Sequence, residues 1–152
     1  MSADDSTMST AFAVPATRAQ PPAQTDADAY TRYELLAPGT GTFRILYEVT
    51  ATTPGATHYF NPIRKGSIAS DESVMDRATG KALEFSEVGA AVARAGGVRV
   101  RDTTQTYIRV SLARPVPDGG EARILIRKTY EDAASYFMRG DTLVFDRPLG
   151  IK

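Results

Sequence analysis

From Phe43 to Thr50 the chain alternates apolar and polar side chains. Phe43, Ile45, Tyr47 and Val49 fall on one side; Arg44, Glu48 and Thr50 fall on the other, with Leu46 the one apolar intruder. A period of two predicts a strand with one buried and one wet face. Similar segments follow along the chain. Tyr30 to Leu36 precedes this strand across the turn Pro38-Gly39-Thr40-Gly41, and Thr57 to Asn61 follows the Pro54-Gly55 turn. Val74 to Arg77 and Leu83 to Val88 flank Ala78-Thr79-Gly80, which predicts a hairpin with glycine at positive φ. Val98 to Arg101 alternates valine with arginine. Tyr107 to Leu112 points Ile108, Val110 and Leu112 inward; the next strand does the same with Ala122, Ile124 and Ile126, and Pro117-Asp118-Gly119-Gly120 is expected to join the two tightly. Thr142 to Phe145 gives the last strand.

Helical signals are sparse. Asp132 to Met138 reads as briefly helical, with Asp132 as its N-cap. Residues 88–97, with four alanines and three glycines, fit either a poor strand or a short helix ended at Gly96-Gly97. Short strands separated by Gly and Pro turns, with no alternation of strand and helix, predict a single all-β antiparallel sandwich of immunoglobulin-like type. Its expected core comprises Leu35, Phe43, Ile45, Tyr47, Val49, Ile108, Val110, Leu112, Ile124, Ile126 and Phe145.

Composition divides the chain near Tyr30. Residues 1–29 hold no Leu, Ile or Tyr and are rich in Ala, Ser, Thr, Pro, Gln and Asp. Such a segment buries too little to offset its chain entropy, so 1–29 is expected to be a disordered leader and 30–152 the sandwich. The leader carries a net −3 and the body +3, for a balanced total. Ala11-Phe12-Ala13 and Arg18-Ala19-Gln20 are similar to the small-residue cleavage end of a secretory signal, although the basic n-region and apolar stretch are missing. The expectation is a periplasmic or secreted protein. The abrupt finish at Ile151-Lys152 leads to the further expectation that the chain is the N-terminal part of something longer.

Charge and residue usage narrow the chemistry. A neutral chain lacks the basic excess of a general phosphate-backbone binder, so nucleic acid is not expected as a partner. With no Cys, disulfides, thiol nucleophiles and Cys-based zinc sites are excluded; with one His, so is a multi-histidine metal centre. No apolar run approaches the ~18 residues of a membrane-spanning helix. There is no phosphate-binding loop and no nucleophile elbow, so no cofactor, metal or catalytic residue is assigned. His58, in Thr57-His58-Tyr59-Phe60-Asn61-Pro62, reads as a partly exposed strand histidine.

Two clusters remain. Glu131, Asp132, Asp141 and Asp146 lie near Tyr130, Tyr136 and Phe137. Paired carboxylates beside aromatic rings act on glycosides, which makes a glycan-binding or glycan-acting sandwich the alternative function. The second is an arginine stripe. If three adjacent strands carry Arg99 and Arg101, then Arg109, then Arg123 and Arg127, one outer sheet face presents five guanidinium groups with Tyr107 as an aromatic anchor. Such a face fits an acidic protein surface or an anionic glycan.

The segments Tyr33-Glu34-Leu35 and Thr42-Phe43-Arg44-Ile45-Leu46-Tyr47-Glu48-Val49 with the Pro-Gly turn after them, and Leu112-Ala113-Arg114-Pro115-Val116-Pro117 with the later Glu121-Ala122-Arg123-Ile124-Leu125-Ile126, resemble the N-terminal β-sandwich of the M1 and M61 aminopeptidase-like families. The chain is also similar to uncharacterised secreted bacterial sandwich proteins. The first resemblance implies a non-catalytic domain that packs against a zinc domain. The zinc-binding H-E-x-x-H helix is absent here, so no catalytic residue carries over. The expected function is thus a non-enzymatic accessory or interaction module of an exported bacterial protein.

Overall fold

The computed structural model describes residues 18–148. The described residues form, in chain order, β1 (Asp26–Leu35), β2 (Thr42–Ala51), β3 (His58–Pro62), β4 (Ile68–Asp76), β5 (Phe85–Val88), α1 (Ala90–Ala95), β6 (Tyr107–Ser111), β7 (Ala122–Glu131), β8 (Tyr136–Arg139) and β9 (Thr142–Phe145). One sheet runs β1-β2-β7-β4, a second runs β3-β6-β5, and β8-β9 is a separate hairpin. Every pairing among these strands is antiparallel. Val49, Val74, Ile124 and Ile126 of the first sheet meet Tyr59, Ile108 and Val110 of the second in one apolar cluster. The all-β, sandwich-like architecture is therefore the expected one.

The strand order is not that of an immunoglobulin constant domain, where the first sheet runs first-second-fifth-fourth and the other third-sixth-seventh. Here the fifth and seventh strands change places. The expected hairpin around Gly80 closes over only a short stretch: Met75 bridges Ala82, and Leu83 N–H bonds Val74 C=O at 2.9 Å. The chain then leaves for the second sheet as β5. Pro117–Gly120 likewise does not join neighbouring strands. After β6 the chain stays bonded to the loop before β3, through Leu112 N–H to Thr57 C=O and Val116 N–H to Ala56 C=O. It then crosses to the first sheet as β7.

Three further expectations change. Val98–Arg101 is not a strand. Within 88–97, Ala90–Ala95 form helix α1, ended at Gly96-Gly97, and Val98 N–H bonds back to Ala93 C=O. Val98 and Val100 pack as a loop on Phe60, Ala93 and Tyr107, with no ladder to join. Asp132–Met138 is not a helix. Asp132 Oδ1 accepts the N–H groups of Ala134 and Ser135, and Oδ2 accepts the Ser135 hydroxyl at 2.7 Å, which closes a local turn in competition with a helix. Tyr136–Arg139 then pairs with Thr142–Phe145 around Gly140. Leu35, at the end of edge strand β1, is 45% exposed and lies outside the core, while Tyr47, Leu112 and Phe145 are half-buried at its border.

Of the leader expected over 1–29, residues 1–17 lie outside the described residues. The remainder is tied to the sandwich, with β1 starting at Asp26. The Gln24 side chain donates to Phe60 C=O at 3.0 Å and accepts Phe60 N–H at 2.9 Å, so it occupies the open edge of β3 as a strand would. Gln24 N–H also reaches Gly97 C=O, and Thr25 N–H donates to Thr53 Oγ1 at 2.7 Å. Polar backbone pairing needs no apolar side chains, which is why composition alone misplaces the boundary.

The inner face of the first sheet meets two covers. The second sheet covers Val49, Ile124 and Ile126. The β8-β9 hairpin covers Phe43, Ile45 and Tyr130 with Tyr136 and Phe145. Strands β2 and β7 are ten residues long, whereas β3 and β6 are five, so a seam is left between the covers.

Candidate functional site

At that seam the inward positions of β7 read Ile124, Ile126, Lys128, Tyr130. Lys128 is paired with Ile45 of β2, in line with Tyr33 of β1, so its side chain lies in phase with the core. On the other side β4 bulges between Ser70 and Ser73 and pairs no residue with Lys128. Lys128 is 4% exposed. Its ammonium donates to Asn61 Oδ1 at 2.9 Å. An ammonium has three donors; besides the bond to Asn61, Nζ lies 5.8 Å from the centre of the Tyr130 ring. Burial pulls its pKa down to about 8; Arg147 adds to the effect and Glu72 opposes it.

Arg147 enters the same seam after β9. Its side chain is 9% exposed. Its guanidinium lies 5.3 Å from the ring centres of Phe43 and Tyr130 and 5.8 Å from that of Tyr33. Cation–π contacts of this kind contribute about 0.5–2 kcal/mol each and hold the last described residues over the aromatic cluster. The nearest carboxylate oxygen, Asp132 Oδ2, is 3.9 Å from Nη1, and Nη1 is buried with no hydrogen-bond partner. Asp132 already accepts three hydrogen bonds from Ala134 and Ser135, and the Ser135 hydroxyl holds its carboxyl below the ordinary range while partial burial opposes. Burial pushes the Tyr130 phenol up.

Lys128 and Arg147, with exposed Arg64, line a cleft of about 160 Å³ whose other walls are Tyr33, Tyr47, Tyr130, Ile45, Ile126, Pro62, Thr31 and Asn61. Three cations and no carboxylate line it. Tyr47, Asn61 and Pro62 also line a neighbouring hollow of about 400 Å³, whose far wall carries Arg99 and Arg101 with Asp26 and Asp102. The two hollows follow the opening between the edge strands β1 and β3.

The expected arginine face is not formed. Arg109 sits on β6 in the second sheet, half-buried, 3.5 Å from Ser86 Oγ of β5. Arg123 and Arg127 are exposed on β7 in the first sheet, and Arg123 is paired with Glu121 at 2.9 Å. Arg99 and Arg101 lie on the loop after α1. The cause is the crossing at Pro117–Gly120, which puts β6 and β7 in opposite sheets. Tyr107 is 6% exposed and packs with Phe60 and Ala93, so it is a core ring and not a surface anchor. Of the six residues, Arg99, Arg101 and Tyr107 come together, at the second hollow.

Within the carboxylate cluster, Asp146 N–H bonds Ser135 C=O at 2.8 Å, beside the Asp132 turn. Glu131, Asp141 and Asp146 are exposed, and Asp132 is tied into its own turn. Tyr130 and Tyr136 are interior rings, 2% and 1% exposed, so neither offers a flat platform. Phe137 is half-buried with Arg139 over its face at 5.7 Å. His58 is exposed at the start of β3, its Nδ1 3.0 Å from the Thr57 hydroxyl.

Lys128, Arg147 and Arg64 were absent from the expected site. For Lys128 a signal existed: a charged residue in phase with Ile124 and Ile126 at an inward position. For Arg147 there was none, because its place depends on how the C-terminal hairpin folds back. Among the described residues no helix is long and apolar enough to cross a membrane. Compared with protein-family models and with curated proteins, the chain matches none.

Proposed function

We propose that this chain is a non-enzymatic interaction module that docks an acidic segment of a partner protein along the opening between β1 and β3. One observation carries the reading: a cleft lined by three cations and no carboxylate, which shares Tyr47, Asn61 and Pro62 with a hollow holding Arg99 and Arg101 beside Asp26 and Asp102. A cleft whose walls carry an excess of positive charge beside low-dielectric surfaces concentrates anions. Tyrosine walls supply rigid contact area, as protein interfaces favour. The resemblance to an N-terminal aminopeptidase-like sandwich agrees with this, since such a domain packs against a neighbour. The setting, on the same reading, is an exported protein.

The test is a titration of the full chain with a glutamate-rich decapeptide. Binding is expected to weaken steadily from low salt to 0.5 M, because exposed charges are screened within about 10 Å at 0.1 M. Arg99→Glu with Arg101→Glu should weaken it further. Binding that ignores both salt and these substitutions would refute the module. So would hydrolase activity of the isolated chain that is lost on changing a single carboxylate. A uronic-acid oligosaccharide bound more tightly than the peptide would move the reading to the glycan alternative.

A further inference from the structure

We infer that the cleft between Lys128 and Arg147 is a receptor for one carboxylate carried on a peptide by a short aliphatic stem. This deepens the proposed reading of an acidic-partner module and rests on it. The donors are present and short of hydrogen-bond acceptors: beyond aromatic rings, Arg147 has only Asp132 Oδ2 at 3.9 Å among the described residues, and Lys128 faces the Tyr130 ring at 5.8 Å. Lys128 uses one of its three N–H groups, on Asn61, and Arg147 donates no hydrogen bond among the described residues. Both side chains are more than nine-tenths buried. A buried polar group without a partner costs about 1–3 kcal/mol, more when charged, so two such cations in one seam form an arrangement that a ligand completes.

Size and walls choose the class of ligand. A cleft of about 160 Å³ admits a carboxylate and a few methylenes. Ile45, Ile126 and the tyrosine rings are suited to the methylenes, and the two cations to the head. Phosphate is less well served. Its dianion is ordinarily held by a nest of backbone N–H groups or a helix N-terminus, and neither lines this cleft. The carboxylate could belong to an Asp or Glu side chain or to a chain end, and the chemistry of the cleft is the same for both.

Calorimetric titration of the full chain at pH 7 and low salt tests this with propionate, inorganic phosphate and two tripeptides. Acetyl-Ala-Glu-Ala-amide offers only a side-chain carboxylate; acetyl-Ala-Ala-Ala acid offers only a terminal one. Propionate should saturate a single site, with phosphate at least about tenfold weaker. Lys128→Met should weaken propionate by about tenfold or more, the loss of one charge-assisted hydrogen bond. Arg147→Lys, which keeps the charge and gives up the flat guanidinium, should also weaken it, and Arg123→Glu, far from the cleft, should not. One tripeptide binding more tightly than propionate identifies the source. Phosphate as tight as propionate, unchanged affinity in Lys128→Met, or no binding of either tripeptide would overturn the inference. The module itself would still stand if the decapeptide kept its dependence on salt and on Arg99 and Arg101.

Discussion

Lys128 costs the unliganded fold stability. An ammonium with one hydrogen bond, set between two apolar clusters, has lost its water without gaining a counter-ion within 4 Å. Its pKa is lowered to about 8, while the unfolded side chain titrates near ~10.4. Below pH 8 both states are charged and the penalty is present. Between about 8 and ~10.4 the unfolded chain binds the extra proton, so stability rises with pH by up to about 3 kcal/mol. Lys128→Met should therefore be more stable than the parent at pH 7, by about 1–3 kcal/mol, with the difference shrinking by pH 9.5. Urea midpoints at the two pH values measure this. The upper measurement, at pH 9.5, stays below the ordinary tyrosine pKa of ~10, above which Tyr59 and Tyr130, whose phenols are pushed up first by burial, oppose the trend through unfolded-state ionisation. A variant destabilised at pH 7, or parallel pH profiles, would mean that the Tyr130 ring, Asn61 and Glu72 together outweigh the cost of burying Lys128.

Elements meet through specific backbone contacts, and Gly97 is one of them. It closes α1 at φ +97, and a Cβ there would lie 2.3 Å from Pro22 C=O. Gly97→Ala should cost about 1–3 kcal/mol, read as a lower thermal midpoint and faster proteolysis of the segment before β1. A neutral substitution would show that residues 22–25 do not brace the sandwich. Strands were legible wherever alternation was strict. Phe43 to Val49 and Ile108 to Val110 could be placed because each pattern is local. Partner choice was not legible, since Ile126 looks the same whether β7 pairs with β6 or with β2 and β4. The arginine face failed for that reason: each residue's side was read correctly on β7, but the sheet was not. Val98–Arg101 failed because valine buries equally well from a loop on Phe60 and Ala93. Lys128 could have been found by asking what breaks an inward run, and Arg147 could not.

Over the whole molecule the charges are segregated by pairing more than by sign. Arg32 and Arg44 meet Glu34, Arg77 meets Glu48 and Arg123 meets Glu121, so the outer side of the first sheet is largely compensated. At the opening between the sheets, Lys128, Arg147 and Arg64 line a cleft with no carboxylate in its walls. Arg109→Glu combined with Arg123→Glu should thus leave affinity for an acidic peptide within about twofold and stability within about 0.5 kcal/mol, since the two sites are on opposite sheets and surface changes are small. Loss of binding in that double variant would return the partner surface to the sheet faces. The most direct measurement is on the cleft itself. The chain has four lysines, so the Lys128 side chain can be followed by NMR as pH is raised, with and without saturating propionate. Free, it should titrate near 8, and a carboxylate bound beside it should move that titration upward by a unit or more. A Lys128 that titrates near ~10.4 in the free protein, or one unmoved by propionate, would contradict an anion receptor at this seam.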